Sequence, residues 1–406
     1  MKALIVGAGI AGPVTAMALR KAGIDASVVE GHRLDGGDVG SYLSVAPNGL
    51  DALGAIDALA VAKAEGFAHR RNVLRGSSGT VLGDIGVGRS LADGTTSLTM
   101  KRTRLARRLA EEAIRRGISV EGGRRLTNAE RAGDRVVATF DDGSTETADL
   151  LIGADGIHSL VRRLIDPQAP DGRYVGLTNF GGITPAGGLT APDLEAETWQ
   201  FVFGRRAFFG AQQAPNGDIV WFVNAPREQI SREERASTTA EAWQRWLVSL
   251  FEKDRWPAAE IIRPGRLELA GDNTYDLGHV PMWHRDRMVI IGDAAHAPAP
   301  SSGQGASLAM EDAVVLAMAL RDAPSIDQAL VDYEAARRGR VEKVVAYGAR
   351  SSSAKTPGTI GRVARDTFLR VAFRYLITDR GLDWMHGHRI DWDGPLPTAR
   401  RALAPV

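Results

Sequence analysis

The chain has 406 residues, 44% of them hydrophobic, enough for a large core divided between two intimately packed domains. Its 50 Lys and Arg against 49 Asp and Glu leave a formal charge of +1, which gives no reason to expect a nucleic acid or a membrane surface as partner. The absence of cysteine removes disulfides, thiolate metal sites and thiol nucleophiles, and it fits a reducing, cytoplasmic setting.

Met1–Gly7 carries too short an apolar run for a signal peptide, and no uninterrupted stretch of about 18 apolar residues suggests a membrane span. Lys2–Val6 reads as a buried parallel strand, Gly7–Gly12 as a tight turn, Pro13–Ala22 as a helix stopped by Gly23, and Ala26–Glu30 as a second strand. Arg102–Arg116 is a helix ending at Gly117. Arg135–Phe140 and Glu146–Ile152 are strands around the turn Asp141-Asp142-Gly143. The texture then changes. Trp199–Phe203, Ala207–Gln213 and Asp218–Val223 read as adjacent strands, with Asn216-Gly217 as a hairpin signal, so an antiparallel sheet is expected between α/β parts. Arg287–Ile291 is again a buried strand, followed by a glycine-rich loop, a helix over about 305–322 and a mostly helical remainder. No internal repeat or long low-complexity linker interrupts the chain.

Gly7-Ala8-Gly9-Ile10-Ala11-Gly12 fits G-x-G-x-x-G between a strand and a helix. The three glycines permit the turn, the approach of a pyrophosphate and close helix–strand packing, and the free N–H groups of the helix start favour negative charge. Glu30 lies near the expected spacing of about 20 residues, where a carboxylate accepts both ribose hydroxyls of FAD or NAD. Strand, helix and acid together weigh against a mere glycine-rich turn. Two further strand ends carry aspartates: Gly153-Ala154-Asp155-Gly156-Ile157-His158-Ser159, and Gly292-Asp293-Ala294-Ala295-His296-Ala297-Pro298. Gly303-Gln304-Gly305-Ala306-Ser307 then opens a helix. A strand-end carboxylate holds sugar-like hydroxyls, and a glycine-rich helix start offers N–H groups to a carbonyl or anion. A ribityl chain ending in a flavin needs both, whereas NAD has no use for a second distant aspartate. Taken alone, Asp155 also suits a turn-capping role.

In this order and at these distances, Gly7–Gly12, Arg102-Thr103-Arg104-Leu105, Gly153–Ser159 and Gly292–Ser307 resemble the fingerprints of the para-hydroxybenzoate-hydroxylase-type (class A) flavin monooxygenases, over about residues 1–345. The resemblance implies an α/β fold with an α+β insert. A Rossmann-like FAD-binding domain would take residues 1–70, 101–170 and 271–345. An antiparallel-sheet substrate domain would take 71–100 and 171–270, and a helical C-terminal region 346–406. It implies FAD held at Gly7, Gly9, Ile10, Ala11 and Gly12 (pyrophosphate), Glu30 (adenosine ribose), Arg102, Leu126, Asp155, Asp293 and Pro298. Gly303, Gly305, Ala306 and Ser307 would offer backbone N–H groups to the flavin. Two departures stand out. Many relatives have Asn where Ser307 stands, which questions a side-chain contact there. Many also have a basic residue directly after the strand-two acid, where Gly31-His32-Arg33 stands here, leaving that role to Arg33.

The implied reaction is reduction of FAD by NADPH or NADH and transfer of one oxygen atom from O₂, most simply as hydroxylation of a bulky aromatic or polycyclic molecule. Epoxidation, ring-oxygen insertion and antibiotic inactivation stay open on the same scaffold. Because the flavin carries the chemistry, no acid–base residue is required, and His158 and His296 read as structural or cofactor-adjacent. Phe201, Phe203, Phe208, Phe209, Trp221 and Phe222 are candidate pocket walls, although alternation sends every second strand residue elsewhere. Arg205 and Arg206 read as a solvated turn. Residues 361–388, with Val363, Phe368, Leu369, Phe373, Leu376 and Trp384, suit a helical wall or simple packing equally. Trp243 and Trp246 lack the Trp-x-Trp-x-Ile-Pro continuation of flavin halogenases. A second G-x-G-x-x-G, expected of a Baeyer–Villiger enzyme, is missing. A non-catalytic dinucleotide-binding protein is disfavoured by the flavin-type second half. Monomer and homodimer both remain open.

Overall fold

The computed structural model describes residues 1–34, 40–187, 194–353, 366–370 and 379–396. Val363, Phe373 and Leu376 of the expected helical wall lie outside the described residues.

The first sheet has six strands in the order His284–Arg285, Met288–Ile290, Leu150–Gly153, Lys2–Val6, Asp25–Glu30, Ser119–Gly122. All pairings are parallel except the short His284–Arg285 edge. Lys2–Val6 sits inside this sheet, packed by the helix Ala11–Lys21 and by the three-stranded sheet of Thr145–Ala148, Arg135–Phe140 and Leu126–Ala132, so four of its five residues are buried in succession and no alternation shows. The helices Ala11–Lys21 and Gly305–Asp322 share one core with it, including Leu4, Ile5, Val14, Met17 and Leu316.

The second sheet has seven strands in the order Arg266–Asp276, Arg173–Thr184, Ile219–Pro226, Phe208–Gln213, Thr198–Phe203, Arg71–Gly76, Val81–Gly86. It is mixed rather than purely antiparallel, because Thr198–Phe203 runs parallel to Arg71–Gly76. One face packs on the helices Ala240–Phe251 and Ala258–Ile262 through Phe180, Phe209, Trp221, Trp243 and Phe251. The other face meets a small sheet of Tyr42–Val45, Ser97–Lys101 and Phe67–His69. There Trp199 Nε1 donates to Thr99 Oγ1 at 2.9 Å, Thr99 Oγ1 donates to Gln212 Oε1 at 2.7 Å, and Lys101 pairs with Glu268 at 2.8 Å.

Two local expectations change. The expected strand Glu146–Ile152 is two strands: Thr145–Ala148 pairs with Arg135–Phe140, and Leu150–Gly153 joins the parallel sheet. Asp149 is the junction, its N–H donating to Lys2 O at 2.9 Å and its carboxylate accepting from Lys2 N at 2.7 Å. A continuous apolar run does not reveal a chain changing sheets. The first helix begins at Ala11, ahead of Pro13, because a proline in the first turn gives up an N–H that has no intrahelical partner.

After the long helix Ile326–Ser353, the described residues 379–396 form a strap: a 3₁₀ turn at Asp379–Leu382, a short helix at Asp383–His386, and irregular chain. Arg340 donates to Trp384 O at 2.9 Å and Met385 O at 2.7 Å, Ile390 N donates to Asp51 at 2.8 Å, and Arg321 donates to Gly394 O at 2.9 Å. Among the described residues no helix is long and apolar enough to cross a membrane.

Candidate functional site

Four neighbouring strands, Met288–Ile290, Leu150–Gly153, Lys2–Val6 and Asp25–Glu30, end side by side, with Ile290, Gly153, Val6 and Val29 in register. Their C-terminal ends therefore bring Asp293, Asp155, Gly7–Gly12 and Glu30 to one edge of the sheet, the crevice where open α/β sheets bind ligands. Gly7 has φ +108°, and a Cβ there would lie 2.3 Å from Ala154 O; a Cβ on Gly12 would lie 1.9 Å from Gly7 O. Both glycines are demanded by backbone packing. At Gly9 a Cβ meets nothing within 4 Å, so it borders open space. The helix behind it, after Ile10 and from Ala11, has neither a side-chain cap nor an acidic residue in its first turn. Its dipole is left for an anionic ligand.

Asp293 accepts no hydrogen bond among the described residues and is exposed within this crevice. Removal of surrounding water pushes its pKa up, while His296 and Arg102 pull the other way. Its Oδ1 and Pro298 Cγ lie 3.8 and 4.0 Å from where a Gly305 Cβ would be. Asp293, Pro298 and Gly305 thus share one wall. Gly303 is left-handed at φ +62°, and the helix from Gly305 through Ala306 again starts without a side-chain cap. Arg102, exposed, begins its own helix on the same side. A cradle with two uncapped helix starts, an unpartnered carboxylate and open space over Gly9 fits a dinucleotide with a ribityl–flavin end.

Other expected residues have intramolecular work. Glu30 accepts from Ala8 N at 2.8 Å and His32 N at 2.9 Å, so it holds the glycine turn and only its remaining lone pairs face a ribose. Asp155 accepts from Ser159 Oγ at 2.5 Å, Leu160 N at 2.8 Å and Val161 N at 3.2 Å, the capping role weighed above. Ser307 Oγ accepts from Ala46 N at 3.1 Å, which leaves its backbone and not its hydroxyl for a ligand. Leu126 is buried in the main core, while Arg125 beside it reaches Gly31 O at 3.4 Å. Arg33 is exposed.

Sequence reading missed the residues that hold these loops. Arg162 is fully buried and donates to Ile157 O at 2.7 Å and Ala294 O at 3.0 Å, stapling two motif loops together. Glu311 and Asp312 are buried in the flavin-side helix. Arg337 bonds both, at 2.6 and 2.7 Å, and Arg340 bonds Glu311 at 2.8 Å. Asp312 also accepts from Gly292 N at 2.9 Å and contacts His296 at 2.6 Å; Asn48 donates to Glu311 at 2.6 Å and Gln304 at 2.9 Å. Burial opposes ionisation, yet Arg337 and Arg340 hold Glu311 at about 2, and His296 with Arg337 holds Asp312 far below its usual range. His296 is therefore structural. The available signal was an acidic pair inside an Ala/Leu/Met helix, with arginines spaced three apart further on.

The candidate pocket walls split by face. Phe209 and Trp221 point away into the second core, correcting their assignment as walls. Phe203 and Phe208 are buried beside Leu82, while Phe201 and Phe222 stay partly exposed on the face that carries the small sheet, whose strand Tyr42–Val45 leads to Ala46 beside Ser307 and so faces the cradle. Leu369 packs against this cluster, and Phe368 is 66% exposed. Arg205 and Arg206 are exposed as expected, Arg205 beside Asp254. Beyond the Asp155 loop opens a groove of about 590 Å³ lined by His158, Arg232, Arg235, Asp272 and Tyr275, the His158 ring standing edge-on to Tyr275 at 5.4 Å.

Fold and crevice together define a flavoprotein of the dinucleotide-cradle type. The family model described as FAD binding domain matches residues 1–347, and the chain belongs to that family. It is 31% identical over 353 residues to an FAD-dependent urate hydroxylase of Klebsiella pneumoniae, covering 85% of this chain and 88% of that one. It is also 31% identical over 352 residues to the 2-heptyl-3-hydroxy-4(1H)-quinolone synthase of Pseudomonas aeruginosa, covering 84% and 86%. The crystal structure of Klebsiella pneumoniae HpxO complexed with FAD and uric acid superposes with a TM-score of 0.78 at 28% identity, covering 91% and 93% of the two chains. The chain is an FAD-dependent oxidoreductase with the monooxygenase fold.

Proposed function

We propose that the protein uses NADPH or NADH and O₂ to insert one oxygen atom, as a hydroxyl group, into a bulky, largely apolar aromatic or polycyclic small molecule. The observation that carries this reading is the partly exposed pair Phe201 and Phe222, set in the interior of a seven-stranded sheet and turned toward the cradle. Apolar walls with few polar anchors suit such ligands. The relatives named above act on urate and form a quinolone, which supports a heteroaromatic substrate; the bulk and apolarity rest on Phe201 and Phe222.

In this reading Gly7, Gly9, Ile10, Ala11 and Gly12 seat the pyrophosphate, Glu30 and Arg33 flank the adenosine half with the buried Leu126 backing that end, and Arg102 contacts FAD on the Asp293 side. Asp293 takes the ribityl hydroxyls. Pro298, Gly303, Gly305, Ala306 and Ser307 surround the ring, with Asp155 shaping the adjoining loop. Bound FAD supplies the redox chemistry with O₂. The chain's own part is to bind and orient, and to offer backbone N–H groups at 305–307 where negative charge develops. The groove beside His158 takes the nicotinamide cofactor transiently. The test is a screen of aromatic and polycyclic compounds for stimulated NAD(P)H oxidation, with product mass measured. A gain of one oxygen atom is expected; stimulation only by small, highly charged acids would overturn the substrate class.

A further inference from the structure

Directly paired residues on neighbouring strands share a face. Across the middle of the large sheet the register therefore sets Gly181, Phe222, Gly210, Phe201 and Leu74 in one row toward the cradle. Gly210 has no left-handed backbone to explain it. A glycine inside a strand weakens the strand, and it persists where something approaches closely. What approaches is a ring: a Cβ on Gly210 would lie 2.4 and 2.6 Å from two carbons of the Phe222 ring. Phe222 thus lies down over Gly210 instead of standing off the sheet. Its ring centroid is 5.5 Å from Trp199 and 6.2 Å from Phe201, and Trp199 and Phe201 are stacked within 14°. Its neighbour Trp221, on the opposite face, is 1% exposed, while Phe222 on the same strand remains partly open.

We infer that Gly210 determines substrate size: its missing side chain lets Phe222 lie flat, and the resulting shelf takes fused-ring aromatics in the space a raised ring would fill. This rests on the aromatic-substrate reading above and adds the residue that sets its upper limit. Gly210 touches neither cofactor nor substrate and acts through Phe222, so it is a positioning residue.

The test uses FAD-loaded protein and three probes, phenol, 1-naphthol and 9-phenanthrol, with binding followed by perturbation of the flavin absorption. Wild type is expected to bind the fused rings more tightly than phenol. Gly210→Ala is expected to weaken 1-naphthol and 9-phenanthrol by about tenfold or more, the cost of an overpacked methyl group, and phenol by less than about threefold. The double variant Gly210→Ala/Phe222→Leu should regain part of the fused-ring affinity, since a leucine does not lie across position 210. A ring-size profile in Gly210→Ala equal to wild type, with FAD retained, overturns the inference and leaves the proposed function standing. If wild type binds none of the three probes, the aromatic-substrate reading itself fails, and the shelf with it. Should Gly210→Ala lose FAD, Phe222→Leu decides: a lost preference for 1-naphthol over phenol supports the shelf, and a retained one overturns it.

Discussion

Among the described residues, Asp293 differs from the other acids of the crevice in having no protein donor. Glu30 and Asp155 each accept at least two, and the buried Glu311 and Asp312 accept from arginine, asparagine and backbone. A carboxylate exposed in the open crevice gives up its water when FAD covers it, so the ligand must supply the donors in its place. Replacing it by alanine should therefore leave folding intact while removing charge-assisted bonds worth about 1.5–3 kcal/mol to bound FAD, roughly ten- to a hundredfold in affinity. Flavin fluorescence titration of the apoprotein measures this directly. An unchanged dissociation constant for Asp293→Ala would remove Asp293 from the site.

At the scale of elements, the three glycines of the first turn separate by what surrounds them. Gly12→Ala puts a methyl 1.9 Å from Gly7 O, so the helix can no longer pack on its strand, and loss of folded protein is expected. Gly9→Ala meets no protein atom within 4 Å, so the melting temperature of apoprotein should hold while FAD affinity drops. Equal destabilisation of both apoproteins would contradict this division. These elements were legible in the sequence because local pattern and tertiary role coincide: a short apolar strand, glycines, a helix and an acid at fixed spacing. The parallel pairing of Thr198–Phe203 with Arg71–Gly76 was not legible, since it joins residues over a hundred positions apart and periodicity carries no partner information. Nor were the faces of Phe209 and Trp221. Adjacent aromatics must diverge, but only the register tells which of each pair turns to the cradle. Arg162 escaped notice because its partners are carbonyl groups, which no sequence motif displays.

The molecule as a whole should be sensitive to mild acid. His69, His386 and His388 are kept neutral by burial, which pushes each from 6.5 to about 4. The unfolded chain binds these protons near pH 6.5 and the folded chain does not, so stability declines as pH falls from about 6.5 toward 4. Glu311 works lower, its contribution complete above pH 4.5 and lost as pH falls toward 2. Melting temperature should therefore fall in two stages, and His386→Gln should flatten the upper one. A melting temperature constant between pH 6.5 and 4.5 in the unaltered protein would refute the first stage. Two of these histidines sit on the strap of residues 379–396, which also closes over Arg340 and Asp51. During synthesis, the glycine turn and both strand-end aspartates leave the ribosome long before Trp384 and Met385 arrive to engage Arg340, the partner of Glu311. A chain truncated before residue 379 should therefore hold flavin more weakly than the full chain, because Arg340 loses the carbonyl partners that fix it against Glu311.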